Sequence, residues 1–325
     1  MTRRYLHRVG RPTGTLLIAK AASLRFGCTK SASGAWRLNQ QELSSFIWSV
    51  ADLLRGDYKQ ADYGKVILPF TVLRRLDCVL EPTKQAVLDE LKARENSGVN
   101  VEPFLLRKAG QSFYNTHKLD IRRLIGDQDN IGPNLFAYIQ AFSPDVRDIF
   151  EHFEFATQVD RLAKAGLLYQ VTEKFARVDL HPNRVDNHQM GLVFEELIRR
   201  FSELSNETAG EHFTPREVIR LMVNLLFIED DELLSKPGAV RTNYDPTAGT
   251  GGMLSIAGEY LRDHANNAAP VMFGQELNAE SYAICKADML KRPVGQQHHF
   301  RQHAVGRWPA GPEVRLHAFQ SAVRR

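Results

Sequence analysis

The feature that most constrains the fold is the segment Tyr244–Leu254, which reads Tyr-Asp-Pro-Thr-Ala-Gly-Thr-Gly-Gly-Met-Leu. We interpret it as the end of a buried strand, a tight turn with three glycines and the start of an apolar helix. This arrangement lets backbone N–H groups at the beginning of a helix approach a ligand closely. The turn alone is a weak functional signal, because glycines also permit a sharp strand-to-helix connection without any ligand.

Two flanking segments strengthen a functional interpretation of this turn. Upstream, Glu211–Arg216 ends in a helix-start pattern, with Thr214 as N-cap, Pro215 as the first helical residue and Glu217 three residues after the cap. Downstream, Glu276 follows a second predicted strand. A strand, a Gly-rich turn, a helix and a second strand ending in an acid form the front half of a doubly wound fold, in which that acid binds ribose hydroxyls.

Helical periodicity dominates the chain before this unit. Apolar residues recur at helical spacing over Leu43–Leu54 and Tyr63–Leu80, and the pattern assigns Arg74 and Arg75 to the polar side of the second helix. Further helices are predicted near 83–94, 134–142, 145–151, 158–168, 186–204, 216–226, 253–264 and 281–290, and strands at 240–244 and 271–274. We therefore predict an α/β chain with an amino-terminal helical domain at 38–168 and the first part of a doubly wound, Rossmann-like domain at 169–290.

Composition places the chain among ordinary globular proteins, with 43% hydrophobic and 25% charged residues. No apolar run approaches the roughly 18 residues that cross a bilayer, so no membrane association is expected. Cys28, Cys78 and Cys285 lack metal-ligand or paired spacing. We therefore expect a cytoplasmic protein with neither a disulfide framework nor a metal site.

The net charge of +4 is distributed unevenly along the chain. Residues 1–37 carry +8 and residues 291–325 carry +6, which leaves the body between them at −10. The basic ends therefore do not form a phosphate-binding surface on the folded body. The composition of residues 1–37 fits either a transit peptide or non-native sequence from an upstream start codon. We favour the second interpretation and exclude this extension from the fold.

Two motifs resemble those of a known family. Asp245–Gly252, preceded by Gly210–Arg216, closely resembles the modification subunit of type I restriction–modification systems, which is an adenine-specific DNA methyltransferase. Asp62–Phe70 looks like part of that family's amino-terminal helical domain. The resemblance covers about 38–290. It implies that the doubly wound part is a Rossmann-like, S-adenosylmethionine-dependent methyltransferase domain.

The resemblance also implies a cofactor site. It assigns Glu211, His212, Phe213, Thr214, Pro215 and Arg216 to the methionine end, Asp245, Thr247, Ala248, Gly249, Thr250, Gly251 and Gly252 to the cofactor loop, and Glu276 to the ribose hydroxyls. The glycine spacing agrees with this cofactor, because the pattern G-x-G-G differs from the dinucleotide pattern G-x-G-x-x-G and lacks the Lys-Ser/Thr of a P-loop. An adenosyl ligand without phosphate is therefore favoured over NAD or ATP, and with it a methyltransferase over a nicotinamide-dependent oxidoreductase.

The implied reaction is methyl transfer to the exocyclic amine of an adenine that has been flipped out of the duplex. The implied partners are DNA, a specificity subunit that reads the target sequence and, for restriction, a nuclease subunit. An acidic body is consistent with a partner that supplies much of the contact to the DNA backbone.

The sequence departs from the family at its catalytic motif. The family carries Asn-Pro-Pro-Phe after the second strand–helix unit, and no Asn-Pro or Pro-Pro occurs in these 325 residues. When residues 301–324 are back-translated and read one base later, they permit a sequence that contains Asn-Pro-Pro-Phe. We therefore hypothesise a frameshift near Lys291, an out-of-frame tail at 291–325, no catalytic residue in this chain and no strand after the second one. A non-catalytic truncated subunit that only binds the specificity subunit is the alternative.

Overall fold

The computed structural model describes residues 40–95, 98–205, 214–228, 241–264, 270–290, 297–301 and 316–318. The helices are α1 (Gln40–Leu54), α2 (Tyr63–Leu80), α3 (Lys84–Arg94), α4 (Glu102–Ala109), α5 (Ile121–Leu124), α6 (Ile131–Gln140), α7 (Pro144–His152), α8 (Phe155–Lys164), α9 (Leu168–Arg177), α10 (Asn187–Ser205), α11 (Arg216–Phe227), α12 (Gly252–His264) and α13 (Ala279–Leu290). The strands are β1 (Arg241–Asp245), β2 (Pro270–Gln275), β3 (Gln297–Arg301) and β4 (Leu316–Ala318). The predicted extension 1–37 lies outside the described residues.

The centre of the helical part is α2, which is buried along nearly its whole length. Its sequence is apolar on most of its circumference, and such a helix is stable only when other elements surround it. Phe70 lies at the middle of this packing, with its ring 4.9 Å from that of Phe155 and 5.2 Å from that of Phe175. Helices α1, α8, α9 and α10 all contact α2. The amino-terminal helical prediction is therefore confirmed.

The prediction that Arg74 and Arg75 face solvent is wrong. Their side chains are 1% and 0% exposed. Arg74 donates from Nη1 to Asp77 Oδ2 at 2.5 Å and from Nε to the carbonyl of Val178 at 2.8 Å. A buried guanidinium is tolerated when carboxylates and carbonyls accept its protons. Because the Val178 carbonyl lies 104 residues away in sequence, helical periodicity alone could not reveal it.

Arg75 connects α2 to the segment between α9 and α10. Its guanidinium donates to the carbonyl of Leu180, to the carbonyl of Val185 at 2.6 Å and to Asn187 Oδ1 at 2.8 Å. Burial lowers the pKa of Arg75 to about 10, which leaves it charged at neutral pH. The start of α10 is thereby fixed against the helical part.

The four strands form one parallel sheet in the order β3-β2-β1-β4. In register, Tyr244 pairs with Phe273 and Asp245 with Gly274. This is the strand order at the centre of a doubly wound fold. The carboxyl ends of β1 and β2 therefore meet at one edge of the sheet, where the glycine turn and Glu276 follow them.

The expectation that no strand follows β2 is wrong, since β3 and β4 lie within residues 291–325. Parallel pairing uses backbone N–H and C=O groups, which every residue except proline supplies in full. Short strands can therefore form from a segment whose side chains carry no alternating pattern.

Most predicted elements agree with the structure to within a few residues, including β1, β2 and the helices that follow them. The sequence interpretation missed α4, although Pro103 in its first turn and Gly110 after its end, with φ of +62°, are helix start and stop signals. It also missed α9, which continues the same buried core through Val171 and Phe175. Within the described residues, no helix is both long and apolar enough to cross a membrane.

Candidate functional site

Asp245 ends β1 with a buried side chain that is 2% exposed. Its Oδ1 accepts a hydrogen bond of 3.1 Å from the backbone N–H of Thr247, which fixes the first step of the turn. Burial raises the pKa of Asp245 to about 7, the Thr247 hydrogen bond opposes this change, and the neighbouring Glu276 carboxylate adds to it. The carboxyl group is therefore close to half protonated at neutral pH.

Glu276 connects the end of β2 to the glycine turn. Its Oε2 accepts the N–H of Gly249 at 2.8 Å, and its Oε1 accepts the N–H groups of Leu277 at 2.9 Å and Asn278 at 2.8 Å. Each carboxylate oxygen has two lone pairs, so Oε2 retains one acceptor position for a ligand hydroxyl. The acid and the turn are thus held in direct contact at the carboxyl ends of β1 and β2.

The glycines of the turn are needed for two reasons. Gly249 and Gly251 adopt φ values of +55° and +85°, which residues with a Cβ rarely adopt. A Cβ on Gly251 would also lie 2.7 Å from Cys285 Sγ on α13, and one on Gly252 would lie 3.0 Å from Ile219 Cδ1. The turn therefore packs against α13 and α11 while it leads into the amino terminus of α12.

A cleft opens beside this turn, between α10, α11 and α13. Glu195 of α10 and Arg216 at the start of α11 line it, together with Gly251, Ser255 and Asp288. Arg216 Nε donates to Glu195 Oε1 at 2.9 Å, and both side chains are largely buried, at 5% and 13% exposed.

The approach of α10 to this ion pair depends on Gly191. A Cβ at this position would lie 2.8 Å from Arg216 Nη2. Sequence reasoning missed Gly191 and Glu195 because α10 shows only an amphipathic pattern. The available signal was the glycine inside the predicted helix, because a helical glycine costs about 1 kcal/mol relative to alanine. It also missed Ser255 and Asp288, which carry no motif.

The structure brings most of the predicted site residues together. Asp245, the five residues from Thr247 to Gly251, Gly252 and Glu276 surround the carboxyl ends of β1 and β2, and Arg216 lies in the adjoining cleft. Glu211, His212 and Phe213 lie outside the described residues.

The predicted cap of α11 is wrong by one residue. Pro215, not Thr214, is the N-cap, and no side chain caps the helix. Pro215 is extended, with φ of −55° and ψ of 139°, and its carbonyl accepts the N–H groups of Val218 at 3.0 Å and Ile219 at 3.1 Å. Because the Pro215 carbonyl accepts the first hydrogen bonds of α11, Arg216 is the first residue of this helix. The Arg216 side chain lies in the cleft.

These groups suit a polar ligand with hydroxyl groups and no phosphate. Glu276 lies beside the turn, and its negative charge would repel a phosphate there. The amino terminus of α12 and the backbone of the turn offer partial positive charge to a polar but less strongly charged group. Among the described residues, no cluster of His, Cys, Asp and Glu could hold a metal ion.

Two family matches cover most of the chain. Residues 43–175 match the family described as HsdM N-terminal domain, and residues 185–304 match the family described as N-6 DNA Methylase. The boundary between them falls in the segment that Arg75 binds.

Curated relatives and a solved structure agree with these matches. The chain is 22% identical to the type I restriction enzyme MjaIX methylase subunit of Methanocaldococcus jannaschii, over 77% of this chain and 45% of that protein. It is 25% identical to the EcoEI methylase subunit of Escherichia coli, over 50% of this chain and 32% of that protein. The fold matches a type I restriction-modification system methyltransferase subunit from Streptococcus thermophilus with a TM-score of 0.57 and 21% identity, over 84% of this chain and 61% of that one.

The chain thus spans less than half the length of these two curated relatives. The two family matches nevertheless follow one another in the order of the helical part and the parallel sheet. On these matches and the shared fold, the chain belongs to the family of type I restriction–modification methylase subunits.

Proposed function

We propose that this chain binds S-adenosylmethionine at the glycine turn and that its family role is methyl transfer to the exocyclic amine of adenine in DNA. The observation that carries the proposal is the pairing of Glu276 with the N–H of Gly249 at 2.8 Å, at the carboxyl edge of β1 and β2. In doubly wound folds this edge is the ligand-binding position, and an acid after the second strand binds ribose hydroxyls.

In this proposal different residues contact different parts of the cofactor. Glu276 accepts a hydrogen bond from the ribose hydroxyls. The backbone from Thr247 through Ala248, Gly249, Thr250 and Gly251 to Gly252 approaches the middle of the ligand, and Asp245 holds that backbone through Thr247. Arg216 lines the methionine end, and we extend the same role to Thr214 and Pro215 and to Glu211, His212 and Phe213.

Isothermal titration calorimetry with S-adenosylmethionine tests the site. We expect the full chain to bind, and Glu276→Gln to weaken binding at least tenfold, because a hydrogen bond to a charged group contributes about 1.5–3 kcal/mol. Glu217→Gln is the matched control, since Glu217 is an exposed acid in the first turn of α11. Equal affinity of wild type and Glu276→Gln would show that Glu276 does not bind the cofactor.

We further propose that these 325 residues bind cofactor without completing methyl transfer. They contain no Asn-Pro-Pro-Phe motif, whose Asn orients the adenine amine in this family. The frameshift near Lys291 remains our hypothesis for this absence, although the N-6 DNA Methylase match continues to residue 304. Sequencing the gene around the Lys291 codon decides the hypothesis. Incorporation of tritiated methyl groups into DNA by the purified chain would contradict the proposed inactivity.

The partners that we propose are DNA, the specificity subunit and the nuclease subunit, in the cytoplasm. An alternative is a non-catalytic subunit that only docks on the specificity subunit. The continuous core of the helical part supports this alternative, because such a core makes the helical part a stable unit for docking. Co-purification with a specificity subunit tests docking. Retained docking without cofactor binding supports the alternative, whereas retained binding of S-adenosylmethionine supports the first proposal.

A further inference from the structure

Helix α13 contacts both the glycine turn and the helical part of the chain. On one side, Cys285 and Met289 lie so close to Gly251 that a Cβ there would be 2.7 Å from Cys285 Sγ and 3.3 Å from Met289 Cε. Just before α13, Glu276 accepts the N–H of Gly249. A displacement of α13 would therefore move two contacts of the turn at once.

The opposite side of α13 is fixed on α7. Lys286, which directly follows Cys285, donates from Nζ to Asp148 Oδ2 at 2.8 Å and lies 3.1 Å from Asp145 Oδ1. The Lys286 side chain is 14% exposed, so solvent screens this ion pair less than a surface pair. Ala283 and Ala287 on the same helix belong to the buried core of the helical part.

Apolar and aromatic contacts also hold α13 in place, because Ile284 is buried in the same core and the Tyr282 ring lies 4.7 Å from the ring of His152 on α7. The ion pairs of Lys286 with Asp148 and Asp145 add electrostatic attraction between α13 and α7. Together these contacts oppose a slide of α13, in which one residue of helix advances about 1.5 Å along the axis. A slide of one residue would carry Cys285 away from Gly251 and pull on the backbone that follows Glu276.

We propose that Lys286 is a positioning residue, which through Asp148 holds α13 in the register that keeps Gly249 and Gly251 in the cofactor-binding conformation. The helical part thereby contributes to cofactor affinity without touching the cofactor. This inference rests on the proposed binding of S-adenosylmethionine at the turn, and its test includes a measurement that needs no cofactor.

The test uses the full chain with Lys286→Met, Asp148→Asn and the double variant. Lys108→Met is the control, because Lys108 forms an ion pair with Glu90 within the helical part, at 3.6 Å. Hydrogen exchange measured by mass spectrometry on the peptide 245–254 reports the conformation of the turn. Calorimetry reports the dissociation constant of S-adenosylmethionine, on variants that circular dichroism shows to be folded.

We expect each single variant to bind S-adenosylmethionine about fivefold more weakly, within the usual range of coupling between packed elements. The double variant should bind no more weakly than Lys286→Met, since Lys286→Met already removes the ion pairs with both Asp148 and Asp145. Exchange in the turn should accelerate in all three and stay unchanged in Lys108→Met. If Lys286→Met does not fold, Asp148→Asn provides the same comparison.

A purely structural ion pair would lower the melting temperature and leave affinity and exchange in the turn unchanged, and this outcome would overturn the proposal. Additive effects of Lys286→Met and Asp148→Asn would overturn the route through Asp148. If the wild-type chain binds no S-adenosylmethionine, the proposed function fails, and hydrogen exchange alone then decides whether Lys286 positions the turn.

Discussion

Gly251→Ala should destabilise the chain far more than the same change at Gly249. Both residues have positive φ, of +85° and +55°, and an alanine in this region costs about 1–2 kcal/mol. At Gly251 the new methyl group would also lie 2.7 Å from Cys285 Sγ, and overpacking of this kind adds about 1–3 kcal/mol. At Gly249 no atom lies within 4 Å of the new Cβ. We therefore expect a loss of about 2–5 kcal/mol for Gly251→Ala and only about 1–2 kcal/mol for Gly249→Ala.

Urea unfolding followed by circular dichroism measures both free energies of unfolding on the full chain. A third variant separates the two causes, because Gly251→Ala with Cys285→Ala removes the sulfur that the methyl group meets. The double variant should be more stable than the sum of the two single changes predicts, since the steric part is relieved. Equal losses for Gly251→Ala and Gly249→Ala, or strict additivity with Cys285→Ala, would refute the close packing of the turn on α13.

Three further changes test other parts of the structure by urea unfolding. Burial raises the pKa of Asp245 to about 7, so the folded chain keeps a proton that the unfolded chain loses near pH 4. The free energy of unfolding should therefore fall from about pH 4 to about pH 7, and Asp245→Asn should remove this pH dependence. The same pH profile in wild type and Asp245→Asn would contradict the raised pKa. Asp77→Ala leaves the buried guanidinium of Arg74 without its carboxylate and should cost about 3–5 kcal/mol. Arg177→Ala removes an exposed ion pair and should change stability by less than about 1 kcal/mol. Similar small losses for both variants would show that the Asp77 site is hydrated. In Gly191→Ala the clash with the cleft arginine costs about 1–3 kcal/mol and the better helix propensity of alanine returns about 1 kcal/mol, so we expect a net loss of at most about 2 kcal/mol. Gly132→Ala, whose Cβ meets only ordinary contact at 3.6 Å, should be neutral or stabilising, and equal effects of the two changes would place that guanidinium elsewhere.

The elements that the sequence predicts correctly are those that local periodicity and turn residues reveal. Tyr63–Leu80 was predicted with both of its ends, and β1 and β2 were predicted from their positions before the glycine turn and before Glu276. The turn and Glu276 could be assigned to one site because the ends of neighbouring parallel strands meet at one edge of a sheet. These features need no knowledge of distant contacts.

The features that the sequence did not predict depend on contacts between distant segments. Arg75 is buried because carbonyls more than 100 residues later accept its protons, and no local pattern announces them. Glu195 lines the cleft because Arg216 reaches it from another helix. Lys286 shows an ordinary helical spacing, and its acceptors lie on α7. In each case the side chain would have been assigned to solvent by its charge alone.

The most direct test of the proposed site compares ligands on the full chain by isothermal titration calorimetry. S-adenosylmethionine, NAD⁺ and ATP share the adenosine group, but only NAD⁺ and ATP carry phosphates, which the Glu276 carboxylate beside the turn should repel. We predict saturable binding of S-adenosylmethionine and no measurable binding of NAD⁺ or ATP. Binding of NAD⁺ or ATP with similar or higher affinity, or no binding of S-adenosylmethionine, would contradict the assignment of the turn at Asp245–Gly252 to this cofactor.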